Sequence, residues 1–306
     1  LLGTYDREYP FEWVIEGGGF SFLYKMPNVE VYDLDKHPRE LSPIADTNFL
    51  IPKIIKEVDS YINLAKLKTH MEAGMSLSLK NQMGMVAPGD RVKIHHSELD
   101  QMISYLGKLM KPDLNIVDGV IAMEGNGPHH GKPTKLNLVV AGTDMVEVDC
   151  LTCYLVGIDY NKVEHIKLSR ELRIGDFPSQ ETLKKFDNLK VKDFKPAQDF
   201  EKFGKNIYVW PTRACSRCIT ALNESGRDFK KHPIKNRKFL SKAFFGNEKI
   251  NIVIGKPRDD FKLPENEKII CIGQCPFAYA QSQNLDSLDK CPPTVEETKE
   301  YLKKKI

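Results

Sequence analysis

Short β-branched runs alternate with helix-period stretches along this chain, and that alternation limits its fold more than any other feature. Tyr61-Ile-Asn-Leu-Ala-Lys-Leu, Asn115-Ile-Val-Asp-Gly-Val-Ile-Ala and Leu136-Asn-Leu-Val-Val-Ala-Gly read as strands. Between the first two, Leu99, Met102, Ile103, Leu106 and Met110 repeat at the helical period, with Ser97 and Asp100 spaced as an N-terminal cap. A further helix is expected from Val146 to Leu155, after Asp144. Beyond a polar connector, residues 187–205, the pattern resumes. Asn206-Ile-Tyr-Val-Trp, Ile250-Asn-Ile-Val-Ile-Gly and Lys268-Ile-Ile-Cys-Ile-Gly are expected strands, with helices around Ile219 to Glu224 and Thr294 to Lys304. Such alternation implies the α/β class: a parallel sheet with helices on both faces, followed by a second α/β domain. The expected boundary divides residues 1–186 from 187–306.

At 306 residues and 41% hydrophobic, the chain can bury the cores of two domains. It begins at Leu1 in mid-pattern, so part of the first domain is expected to lie upstream. No apolar run approaches the ~20 residues needed to cross a bilayer. The net charge of +3 hides an asymmetry: from Thr182 onward there are 26 Lys+Arg against 16 Asp+Glu, and before it 19 against 26. A basic second half suits an acidic partner.

The seven cysteines are too few and too unevenly placed for a disulfide framework in a chain this long, and a cytoplasmic, reduced setting is expected. Four of them, Cys215, Cys218, Cys275 and Cys291, fall in loops that follow expected strands or open expected helices. Strand-to-helix turns at the carboxyl edge of a parallel sheet are where α/β folds place their sites. Four converging thiolates suit an iron–sulfur cluster, and the neighbouring Ile219, Pro276, Phe277, Pro292 and Pro293 suit its apolar shell. Four thiolates also suit zinc, though only one Cys-x-x-Cys knuckle binds the pattern together here. Cys271 lies inside a strand and reads as a buried spare. Cys150 and Cys153 read as small apolar residues on one helix face.

Cys215-x-x-Cys218, Gly273-x-Cys275 and Cys291-Pro-Pro resemble the proximal-cluster motif of [NiFe]-hydrogenase small subunits and a related complex I subunit. That resemblance implies a [4Fe–4S] cluster on a flavodoxin-like domain. Pro276-Phe-Ala and Lys290 depart from the motif, which elsewhere carries small residues and glycine at those places.

A second constellation is polar. Lys66-Leu-Lys68-Thr-His70, Ser78-Leu-Lys80-Asn81-Gln-Met-Gly, Asp118-Gly…Glu124-Gly-Asn-Gly-Pro and Gly142-Thr-Asp144…Asp149 occur in order. Over residues 60–160 they resemble the domain-of-unknown-function 362 family, some of whose members also carry ferredoxin-like cysteine motifs. Lys68, His70, Lys80, Asn81 and one of His95 and His96, His95 foremost, form the expected catalytic or binding set, as donors for a small anionic ligand or substrate. Asp118, Glu124, Asp144 and Asp149 would answer with a hard metal or a proton relay; alternatively Asp144 caps the helix that follows, and Asp149 and Glu124 pair with Lys68 or Lys80. The glycines at 125 and 127 permit close approach to a ligand.

The expected function is therefore redox: electrons pass between a [4Fe–4S] cluster and a ligand held by the first domain. An acidic redox partner such as ferredoxin would meet the basic segment from Arg227 to Lys242, read on its own as an exposed loop. No membrane partner is expected. The alternative is a zinc-binding, nucleic-acid-binding protein, with nucleic acid the less favoured partner.

Overall fold

The computed structural model describes residues 10–306, apart from 45–46, 88, 92–93, 95–98, 128–129, 192, 198–200, 213, 215, 258–260 and 265, and without the side chains of Thr47, His130, Glu201 and Ser216. His95, Ser97 and Cys215 therefore lie outside the described residues. The chain divides into two compact units, the first ending at Pro196 and the second running from Ala197 to Ile306. The fold class is α/β, with parallel pairing in both main sheets.

In the first unit, helix α1 (Phe11–Gly17) precedes a hairpin of β1 (Arg39–Ile44) and β2 (Thr47–Pro52), and the short α2 (Ile54–Glu57) leads on to the main sheet. That sheet contains β3 (Ile62–His70), β4 (Gly74–Ser76), β5 (Leu114–Asn126) and β6 (His130–Gly142), in the order β4-β3-β5-β6. Strand β3 alternates strictly at first: Asn63, Ala65 and Leu67 are buried, while Ile62, Leu64 and Lys66 are exposed. It runs parallel to β5, but β4 and β6 are antiparallel to their neighbours.

The β6 pairing departs from the all-parallel expectation. Only a short glycine-rich segment separates β5 from β6, and a parallel return needs a crossover of a dozen or more residues. A hairpin is the remaining option.

Helices α3 (Ser78–Asn81), α4 (Leu99–Leu109), α5 (Met145–Leu155), α6 (Glu164–Glu171) and α7 (Gln180–Lys184) complete the unit. The α4 stripe is as the period predicts, with Leu99, Met102, Ile103 and Leu106 buried. These side chains join Leu67, Met75, Leu79, Val117 and Val146 in one core. Each fully buried leucine or valine contributes about 1.5–3 kcal/mol of transfer free energy.

The second unit is one five-stranded sheet of β7 (Glu201–Phe203), β8 (Ile207–Pro211), β9 (Ile250–Ile254), β10 (Lys268–Ile272) and β11 (Asp286–Leu288), lying side by side in sequence order. Strands β8 to β11 are parallel and β7 is an antiparallel edge. A flavodoxin-like sheet runs 2-1-3-4-5. Here β8 to β11 take the places 1-3-4-5, and β7 stands where that fold puts its second parallel strand.

Helices α8 (Ser216–Lys231), α9 (Arg237–Phe245), α10 (Phe277–Ser282) and α11 (Val295–Lys305) accompany the sheet. Every residue of β9 is buried, as a central strand covered on both faces must be. One face packs Phe229, Phe239, Ile252 and Leu302; the other packs Val253, Cys271 and Ala280. A reciprocal capping box starts α11, where the Glu297 N–H donates to Thr294 Oγ1 (3.2 Å) and the Thr294 N–H to Glu297 Oε2 (2.9 Å). The segment from Arg227 to Lys242, expected as a loop, is the end of α8, a turn and most of α9.

Candidate functional site

At the carboxyl end of the second sheet, β10 runs into Gly273, Gln274 and Cys275, and β11 runs into Lys290 and Cys291. The Gln274 N–H donates to the Lys290 carbonyl (3.1 Å) and the Gly273 N–H to the Leu288 carbonyl (2.9 Å), so the two thiol-bearing loops are tied together. Cys218 reaches the same place from α8. A Cβ on Gly273 would stand 3.2 Å from Cys218 Sγ and 4.0 Å from the Lys290 carbonyl, and Gly273 holds φ at +102°. Only glycine takes that backbone conformation without strain. Cys218 is buried, Cys275 partly so, and Cys291 is exposed. Three of the four expected ligands thus come from stretches that touch. Among the described residues no three His, Cys, Asp or Glu side chains form a group able to hold a metal, and Cys215 lies outside them.

Cys271 is fully buried inside β10, and burial pushes its thiol up to about 12. Cys150 and Cys153 are also fully buried, on α5, with their thiols raised for the same reason. A thiol in that state is a poor ligand and a poor nucleophile.

The polar constellation gathers where β3 ends. Lys68 stands directly opposite Ser76 of β4 in the antiparallel register. Ser76 Oγ is buried with no hydrogen-bond partner among the described residues, and the Ser78 side chain lies against the Asp149 carboxyl. Burial lowers the Lys68 ammonium from its ordinary value. It lowers Lys80 further, to about 8, where the Lys68 charge adds to the effect and Glu72 and Asp100 oppose it. The Lys80 ammonium contacts the Met83 sulfur at 3.9 Å. His70 accepts from the Glu72 and Ala73 N–H groups at Nδ1, both at 3.2 Å. The neutral ring therefore carries its proton on Nε2. Two partly desolvated ammonium groups and the Ser76 hydroxyl form a donor set for an oxyanion.

Asn81 serves the fold. Its amide donates to Asn63 Oδ1 (2.8 Å) and to the Leu64 carbonyl (3.2 Å), fastening α3 to β3. The four acidic residues are likewise committed within the unit. Asp118 pairs with Lys66 at 2.7 Å, and Glu124 accepts from the Lys195 N–H at 3.0 Å. Asp144 Oδ1 caps α5 through the Val146 N–H (2.7 Å) and Glu147 N–H (3.0 Å). Asp149 accepts from the Ser78 N–H (2.8 Å) and Leu79 N–H (3.0 Å); burial nevertheless pushes its carboxyl up to about 7.

The glycine-rich segment approaches its own chain. A Cβ on Gly127 would lie 2.2 Å from the Thr69 carbonyl, and the Gly127 carbonyl accepts from the Met71 N–H at 3.0 Å.

Sequence reading missed a buried pair in which His165 Nδ1 lies 3.2 Å from Asp100 Oδ1. Its Nε2 is buried with no hydrogen-bond partner among the described residues. The expected capping partner of Asp100, Ser97, lies outside the described residues. No local signal marks it, because 65 residues separate the partners.

A lysine-lined polar site at a sheet end of the first unit and thiol-bearing loops at a sheet edge of the second define a two-unit α/β protein with a candidate site in each unit. Residues 4–154 match the model of the family described as Domain of unknown function (DUF362). The match reaches well upstream of the motifs at 60–160. Thylakoid-associated protein sll1697 of Synechocystis sp. is 34% identical over 153 residues, which cover 48% of this chain and 47% of that protein. The chain thus spans about half the length of this curated relative. No solved structure matches.

Proposed function

We propose that the protein is an iron–sulfur redox protein, an oxidoreductase or electron carrier. The thiols of Cys215, Cys218, Cys275 and Cys291 would hold a [4Fe–4S] cluster at the carboxyl edge of the second sheet. The observation that carries this reading is the glycine at 273, whose missing side chain lets the Cys275 loop lie against Cys218 Sγ. When bound, such a cluster supplies one-electron transfer. The chain's own part is to shield it, with Cys218 buried and Pro276 beside Gly273.

The first unit would bind a small anionic ligand or substrate through Lys68 and Lys80, with His70 offering its Nε2–H. Asn81 positions α3, and His95 remains a proposed member of the set. A cytoplasmic setting keeps the thiols reduced, and an acidic electron donor such as ferredoxin is the proposed redox partner. The name of the Synechocystis relative speaks of association with thylakoids, and for this chain such association is a proposal.

Anaerobic purification followed by iron and sulfide analysis tests the reading. About four irons and four sulfides per chain, with broad visible absorbance, are expected. Cys218→Ser, Cys275→Ser and Cys291→Ser should each lose iron. One zinc per chain and no chromophore would establish the non-redox alternative instead.

A further inference from the structure

The second unit carries a basic surface, the segment that the sequence alone assigns to an acidic redox partner. Between Asp228 and Glu248 there is no carboxylate, and six cations, Lys230, Lys231, Lys235, Arg237, Lys238 and Lys242, are all exposed. Among the described residues none of the six forms an ion pair; Lys230 alone has a ring contact, 5.0 Å from the Phe203 centroid. Helix α9 buries Phe239 and Ala243 on its inner face. Lys238, Ser241, Lys242 and Phe245 recur at the helical period on the opposite face, and Ile234 stands one turn ahead of them. Ile234 is 87% exposed and Phe245 84%, although both are large and apolar.

We propose that this face of α9 and the turn before it form a docking surface for an anionic lipid bilayer. Lysines flanking protruding apolar tips suit the headgroup boundary, where the cations meet lipid phosphates and the tips enter the acyl edge. Two observations favour a bilayer over other acidic partners. Ile234 cannot stack on a base, so a nucleic acid would leave it unburied. The patch also lies at the far end of α8 from Cys218: thirteen residues at a 1.5 Å rise separate Cys218 from Lys231, about 20 Å. An electron donor must dock beside the thiols. This end of the unit suits anchoring, and the inference stands whatever metal the cysteines hold.

Sedimentation of the full chain with vesicles tests it. On vesicles of phosphatidylglycerol and phosphatidylcholine in equal parts, the bound fraction should exceed that on phosphatidylcholine alone by about tenfold, and it should fall steeply with added salt. Ile234→Ser and Phe245→Ser, each with an unchanged circular dichroism spectrum, should lower it several-fold. The double change Lys238→Ala with Lys242→Ala should flatten the salt dependence. No retention, or equal retention on both vesicle types, overturns the proposal. It is also overturned if duplex DNA or polyglutamate binds as tightly as the anionic vesicles and Phe245→Ser leaves that binding intact.

Discussion

Lys80 is the ammonium group at the β3 end that burial brings nearest to neutral pH. Burial brings its ammonium down to about 8, so Lys80 is charged at pH 7 and loses that charge above 8. Sulfate keeps a constant charge across this range and isolates the effect. Its dissociation constant should rise about tenfold per pH unit above 8, and Lys80→Met should abolish the pH dependence while weakening binding about 10- to 100-fold, as loss of one charge-assisted hydrogen bond requires. Titration calorimetry from pH 6 to 10 reads both. Asp149 titrates with the opposite consequence for stability. Folded, it keeps its proton up to about pH 7, whereas the unfolded chain releases it near 4. The folded state therefore binds more protons across that window, and this group's contribution to stability falls as pH rises through it, by up to about 4 kcal/mol. Asp149→Asn should remove that slope, read as denaturant midpoints between pH 4 and 8.

Among the elements, the turn from β10 to α10 carries the sharpest prediction. Gly273→Ala places a methyl group 3.2 Å from Cys218 Sγ on a backbone at φ +102°. The backbone strain alone costs about 1–3 kcal/mol, and under the iron–sulfur reading the variant should also lose iron. That loop was legible because a strand pattern, a glycine and a cysteine stand in immediate succession. The α4 stripe was legible for a similar reason: Leu99, Met102, Ile103 and Leu106 obey one period over one continuous stretch. The β5–β6 hairpin was not, since its strands carry the same apolar content as a parallel pair and only the shortness of the link distinguishes them. Helix α9 was missed because its cations and exposed aromatics mask a stripe of only Phe239 and Ala243. In the polar constellation, the motifs singled out Lys68 and Lys80, which lie on β3 and α3. Asn81 looked equivalent to them, and only the Asn63 and Leu64 contacts show that its amide is spent on the fold. The Asp100–His165 pair is a product of tertiary packing and has no local signature.

At the scale of the whole molecule, two cores share no member: Leu67, Met75 and Ile103 belong to one, Phe229 and Ile252 to the other. Two cores of this kind should melt as two calorimetric transitions. Leu106→Ala should cost the first unit about 2–5 kcal/mol and leave the second transition in place; a shift of both together would show a single cooperative block. The interior sulfurs of Cys150, Cys153 and Cys271 give the same question a chemical readout. All three sit at zero exposure with their protons held tightly, so an alkylating reagent at neutral pH should pass them by until the surrounding strand or helix opens. Two report on one unit and the third on the other. The order in which mass spectrometry finds them labelled would time the separate openings of the two halves, with no probe added to the native chain.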